Sequence, residues 1–361
     1  MANEYRLPET MNSLSPQAES RWPRRWAVLL VCATFPLIWV GGLVTTYKAG
    51  MAVPDWPSTY GYNLLLYPWQ TWLSGPFDLF VEHGHRLLAV GIGLVTIGLV
   101  ISVYRSERRH WLKVLSLVAL AAVIGQGLLG GARVLMDERM LALVHACSGP
   151  AFFALAVVIA ATLASSWKNP QGKMSDEKIS AAAVSRVVQW GLVASGLVYL
   201  QLILGGLVRH APVTIGPATF GVFLQFHIVM AAAVTIHMVI LVAGIWRHRR
   251  SLPASLCRPA YLVLACLVFQ LLLGGASWVT RYGWPGFLAD NELFAAYLIR
   301  AQALWPSIIV TAHVATGSLI LALAVLISVR SMRLRHRLAV PAAVPAFSFM
   351  LADPGWGGGL G

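Results

Sequence analysis

Charge is scarce in this sequence. Only 11% of its 361 residues are Asp, Glu, Lys or Arg, and just 14 are acids. A soluble chain of this length would need far more polar surface, so the shortage excludes a water-exposed globular protein. Cysteine is scarce as well: Cys32, Cys147, Cys257 and Cys266 are the full set, and no two stand at C-x-x-C spacing. That argues against a thiolate metal site and against a disulfide framework. Strand-like alternation is missing from the apolar runs, which excludes a β-barrel. The first apolar run lacks a small-residue cleavage site, and the tail before it carries Glu4, Glu9 and Glu19. An acid-poor transit peptide would not look like this, so the run reads as a retained anchor.

What the chain does have is apolar length. It is 58% hydrophobic with a mean hydropathy of +0.69. Eight stretches are long enough to cross about 30 Å of hydrocarbon as helices; they fall at 26–46, 84–104, 113–133, 140–166, 187–208, 220–246, 260–280 and 306–329. The tail before the first span, the 2–3, 4–5 and 6–7 loops and the tail after the eighth span carry four Lys or Arg each, leaving seven of the 27 elsewhere. The basic side is the cytoplasmic one, so both termini are expected there. The formal charge of +13 therefore reports topology in a lipid bilayer. No soluble basic face exists to bind nucleic acid. A bacterial inner membrane is the simplest location.

A phrase repeats along the odd-numbered spans. Helix 3 has Q-G-L-L-G-G (126–131), helix 5 Q-L-I-L-G-G (201–206) and helix 7 Q-L-L-L-G-G (270–275), while helix 1 has L-I-W-V-G-G (37–42). Each is followed by an even helix with a histidine near its outer start: His85, His145, His227 and His313. The pattern predicts four helical hairpins in two pseudo-symmetric four-helix bundles. The domains expected are a cytoplasmic tail 1–25, an N-terminal half 26–167, a cytoplasmic linker 168–186, a C-terminal half 187–330 and a disordered cytoplasmic tail 331–361. The glycine pairs fit close helix packing in lipid and also fit close approach to a large flat ligand.

The four histidines are expected 4–6 residues inside their helices, roughly 6–9 Å below the outer ends. A single intramembrane histidine is commonly just bonded to a carbonyl. Four at one depth, one per even helix, point instead to ligands, and a bis-His pair across a bundle is how a membrane cytochrome holds haem iron. A closed zinc site would gather its ligands in one half and use thiolates. His237 lies about 15 Å deeper than His227 and reads as a packing residue. His110, His248 and His336 fall in basic cytoplasmic segments, and His210 adjoins Arg209 in an outer loop. His83 points about 200° around the helix from His85. Glu82 shares the face of His85 three residues on; it reads either as a helix cap or partner of Arg86, or as an acid–base group beside a ligand. Arg86, Arg133 and Arg209 suit propionates, because Arg pairs carboxylates bidentately.

With these residues in hand, G-G-L-V (41–44), A-G-M-A-V-P-D-W-P (49–57), E-H-G-H-R (82–86) and the ordered later histidines, the chain resembles the haem A synthase family over about residues 26–330. The resemblance implies oxidation of a methyl group of haem O to the formyl group of haem A, for terminal oxidase biogenesis. It implies that Glu82 is the essential acid, that His85 and His145 hold the substrate haem O, and that His227 and His313 ligate a haem B cofactor. Haem O synthase and the terminal oxidase assembly machinery follow as implied partners. Many bacterial members carry a cysteine pair where this chain has Val53 and Thr59, so a loop disulfide is not expected. The 5–6 loop is short, and the 7–8 loop is long with G-W-P-G at 283–286. The alternative is a non-catalytic di-haem electron-transfer protein of cytochrome b type, which has no use for Glu82. A transporter would call for inverted repeats, whereas these hairpins repeat in one orientation.

Overall fold

The structure is a computed structural model describing residues 20–168, 180–212, 214–284 and 303–339. Eight helices are long and apolar enough to cross a membrane: α1 Trp22–Thr46, α2 Phe77–Ser106, α3 His110–Met136, α4 Arg139–Thr162, α5 Ala181–His210, α6 Pro217–Arg247, α7 Ala254–Tyr282 and α8 Leu304–Ala339. No strand occurs among the described residues beyond one isolated bridge, Thr59 to Tyr62. Helices satisfy every internal backbone group without water, which is why runs this apolar can only fold this way. Their ends follow local chemistry. Ser180 caps α5 by accepting from the Ala183 N–H, Asp137 ends α3 at φ 46°, and Gly283 ends α7 at φ 81°.

The helices pack as two closed rings. In the first, α1 meets α2 and α4, and α3 meets α2 and α4; in the second, α5 meets α6 and α8, and α7 meets α6 and α8. The rings join where α8 packs on α4 and α1, and α4 packs on α5. Helix α8 is the structural centre: 61% of its apolar window is buried against protein, compared with 17% for α3. Leu30, Ile92, Leu99, Leu112 and Ile159 fill the core of the first ring. The second core also draws in Val31, Phe35 and Phe153 from the first ring. Small residues permit close contacts between helices, Gly98 against Trp26 and Gly191 against Ser328.

Most helices run past their apolar stretches, and three of these extensions bear on the site or the expected domains. Helix α2 begins at Phe77 rather than 84, because Glu82, His83 and Arg86 are satisfied by protein partners instead of water and so do not end the helix. Helix α5 begins at Ala181, inside the expected linker. Helix α8 runs to Ala339, so 331–339 is helical rather than a disordered tail, with Ser331 and Leu334 buried. The tails 1–19 and 340–361, most of the polar linker and residues 285–302 of the 7–8 loop lie outside the described residues. The earlier helix starts place the four histidines about two to three turns inside their helices.

Candidate functional site

The repeated phrase folds into a repeated seat. A methyl group at Gly41 would lie 2.8 Å from His85 Cε1; the corresponding distances are 3.3 Å for Gly130 and His145, 3.0 Å for Gly205 and His227, and 3.3 Å for Gly274 and His313. In each hairpin, then, the first glycine of the pair makes room for the imidazole of the next helix. The second glycine does something different each time: Gly42 meets Thr311, Gly131 meets Trp56, and Gly206 meets Leu143 and Cys147.

Seated in this way, the imidazoles face one another in pairs. The ring centres of His85 and His145 are 6.5 Å apart with planes at 89°, and those of His227 and His313 are 6.3 Å apart at 75°. All four Nδ1 atoms are buried with no partner at ordinary hydrogen-bond geometry among the described residues. The backbones of Gln126, Gln201 and Gln270 lie within polar reach of the His145, His227 and His313 rings; a ligand would complete the four nitrogens. An imidazole nitrogen binds a metal at about 2 Å and lies roughly 1.2 Å from its ring centre, so two rings flanking one metal have centres ~6.4 Å apart. Both pairs match that spacing. Among the described residues no three His, Cys, Asp or Glu side chains cluster to hold a metal ion, so the protein offers its ligands in twos.

One turn before each seating glycine, the glutamine of the phrase faces the same way. Gln201 Nε2 lies 3.5 Å from His227 Nε2 and donates to the His227 carbonyl at 3.0 Å; Gln270 Nε2 lies 3.5 Å from His313 Nε2. Gln126 donates instead to Ser148 Oγ at 2.6 Å. Hairpin one has Leu37 at this place.

Hairpin one has instead an outer segment folded over its helix. Glu82 is 2% exposed. Its Oε2 accepts from the Val53 N–H at 3.1 Å and its Oε1 pairs with Arg86 Nη2 at 2.9 Å. Arg86 uses all four of its Nη hydrogens, donating to the carbonyls of Asp55 (2.7 Å), Ser58 (2.9 Å) and Val53 (2.7 Å) as well as to Glu82. Asp55 closes the turn by accepting from Ser58 Oγ, the Tyr60 N–H and the Gly61 N–H. Burial pushes the Asp55 carboxyl up, but the bonds from Gly61, Ser58 and Tyr60 outweigh it and hold the pKa at about 2. Trp56 lies against Gly131, one residue past the seat of His145. The P-D-W-P segment therefore docks on both helices that flank the first histidine pair.

His83 faces away from His85, as its position requires, and takes part in holding this roof. Its Nδ1 is 3.0 Å from Thr59 Oγ1, and its ring packs on Tyr67 (5.0 Å) and Trp72 (5.4 Å). His237 contacts the Ala233 carbonyl at 2.8 Å and packs on Trp190. Arg133 and His210 line a cavity of about 170 Å³ at the outer end, whose charged lining also includes Lys48 and Arg139 and, opposing them, Asp137 and Glu138. Arg209 donates to the Gly42 carbonyl and to Thr46 Oγ1, tying the two rings together. Sequence reasoning missed Val53, Asp55, Trp56 and Thr59 as builders of the site, and missed the glutamines. The P-D-W-P motif marked the loop, and the fixed four-residue spacing to the glycine marked the glutamines, but neither signal gave a contact.

Fold and site define a multi-span helical membrane protein with two facing-histidine centres, one of them roofed by a carboxylate-bearing loop. The family model of cytochrome oxidase assembly proteins, COX15-CtaA, matches residues 24–215, just over half of the chain. The chain belongs to that family, which includes the haem A synthases. A curated relative, "Heme A synthase" of Bradyrhizobium sp. (strain BTAi1), is 30% identical over 147 residues, 38% of this chain and 40% of the relative's own length. The family match takes in α1 to α5, so Glu82, His85 and His145 fall inside it while His227 and His313 lie beyond it.

Proposed function

We propose that this protein oxidises a methyl group of haem O to the formyl group of haem A, in a bacterial inner membrane with both termini cytoplasmic and its two halves related by a pseudo-twofold axis. The single observation that carries the reading is the first histidine pair with a buried carboxylate one turn away: a metal-sized gap between His85 and His145, and Glu82 on the same helix face. His85 and His145 hold the substrate haem O by its iron. His227 and His313, with the same spacing, fit a haem B, which when bound supplies electron transfer. Glu82, held by the Val53 N–H and Arg86, is the group that takes a proton or steadies positive charge at the reacting carbon while the electrons pass to an external acceptor. Arg86 is a positioning residue, since the loop consumes its Nη donors; that leaves Arg133 and His210, in the outer cavity, to meet the propionates. The docked segment 52–59 keeps water from the pocket.

The test is expression in a cell that makes haem O but no haem A, followed by haem extraction and chromatography. Haem A is expected from the native chain and none from Glu82→Ala, with membrane insertion unchanged. Two loaded haem centres with haem O unconverted, when an electron acceptor is supplied, would overturn the reading in favour of electron transfer alone. A normal haem A yield from Glu82→Ala would remove the glutamate from the chemistry.

A further inference from the structure

A second site lies at the other end of the second ring. Between the first turns of α5 and the last turns of α6 is a cleft of about 470 Å³, within the range of pockets that hold small ligands. Arg186 and Trp190 on α5 face Ile240, Gly244, Arg247 and His248 on α6. The spacings are those of a single face on each helix. His248 is about 30 Å along α6 from His227, a full hydrocarbon thickness, so the cleft is separate from both histidine pairs.

Its chemistry is divided. Arg186 and Arg247 form a cationic rim beside His248, with no acidic side chain lining the cleft among the described residues, and Trp190 and Ile240 form an apolar wall. The positive end of α5 lies at the same rim. Gly244 is half-buried, yet a methyl group there would meet nothing within 4 Å, so the glycine opens the groove instead of packing a neighbour. Next to the rim, the Arg249 guanidinium lies 4.5 Å over the Trp246 ring, a pairing suited to the headgroup level. An anionic head joined to an apolar chain matches all of these features. We propose that this cleft binds one anionic phospholipid, its phosphate at Arg186 and Arg247 and one acyl chain along Trp190 and Ile240.

The full-length protein is examined by native mass spectrometry while phosphatidylglycerol or phosphatidylcholine is titrated in. One tightly held phosphatidylglycerol is expected, preferred over phosphatidylcholine by about thirtyfold for two basic residues at a membrane surface. Arg186→Gln with Arg247→Gln should remove the preference. Gly244→Leu, which keeps every charge and improves helix propensity, should expel the lipid by filling the groove. Equal retention of the two lipids, or phosphatidylglycerol held as tightly by both variants, overturns the proposal. So does inorganic phosphate binding equally well to the native chain and to Gly244→Leu, since the ligand is then a free anion. Circular dichroism melts of both variants matching the native protein keep loss of binding from being loss of fold.

Discussion

The four seating glycines form a graded series with an internal control in each ring, and alanine at each makes the sharpest test of the histidine pairs. Carbon atoms in contact sit about 3.5 Å apart or more. A methyl group at Gly41 would stand 2.8 Å from His85 Cε1, and at Gly205 3.0 Å from His227 Cε1, so those imidazoles must retreat by ~0.7 and ~0.5 Å. At Gly130 and Gly274 the distance is already 3.3 Å, and ~0.2 Å is enough. Metal–ligand distances tolerate about 0.2 Å, so the first two substitutions should detach a ligand and the last two should not. Overpacking of this kind costs about 1–3 kcal/mol, or a roughly 5- to 150-fold loss of haem retention. Alanine otherwise stabilises a helix interior by about 0.5–1 kcal/mol relative to glycine, so the loss cannot be blamed on the helix. The assay is haem stoichiometry and spin state by optical and electron paramagnetic resonance spectroscopy. Gly41→Ala and Gly205→Ala should shift their own centre from low spin toward high spin, while Gly130→Ala and Gly274→Ala keep native spectra. Four equal outcomes, in either direction, would refute the seat geometry.

Three further outcomes follow from the same contacts. Glu82→Gln keeps a hydrogen-bonding side chain at the Val53 N–H and Arg86 but cannot take a proton, so haem A yield should fall at least about 100-fold with haem binding intact; an unchanged yield rules out the base. Asp55 titrates at about 2 against its ordinary 3.8, so its hold on the turn is complete above about pH 4 and is lost as pH falls toward 2; hydrogen exchange of the Tyr60 and Gly61 amides should rise over that interval in the native chain and be flat in Asp55→Asn. Leu37→Gln imports the residue that hairpins three and four place near their imidazoles, and should slow haem dissociation from the first centre and lower turnover, read by haem release kinetics and steady-state rate.

The helix count was legible because lipid imposes it: a run of about 20 apolar residues has few other fates. Helix starts were less legible. A hydropathy window stops at Glu82, His83 and Arg86, and nothing local says that Val53, Thr59 and Ser58 will satisfy them. The histidines were legible as a set, because one residue type returns at one depth after one phrase. The glycines were legible only in part. Helix packing and ligand approach both explain a G-G pair, but the structure shows that the first glycine is vacated for an imidazole on the next helix. His83 shows the limit of periodicity most clearly. Its direction away from His85 follows from the helix, but its partner Thr59 comes from a loop 24 residues earlier, which no helical repeat can reveal.

The two rings thus share the seat and differ in what surrounds it. In the second ring both histidines have a glutamine within 3.5 Å of Nε2, and one of these glutamines also ties down the histidine's own carbonyl. In the first ring Gln126 goes to Ser148 and hairpin one has only Leu37 in that position. At 3.5 Å these amide contacts are long, and an amide nitrogen only donates, so they brace the two rings without accepting a ring N–H. A resident cofactor benefits from that restraint, whereas a substrate that must leave as product does not. The carboxylate and its roof stand over the less restrained pair, with Glu82 anchored by Val53 and Arg86. On the proposed function, restraint has moved there from the histidines to the carboxylate. Under that proposal, this division of labour, more than the presence of four histidines, would separate an enzyme from a two-haem electron carrier built on the same repeat.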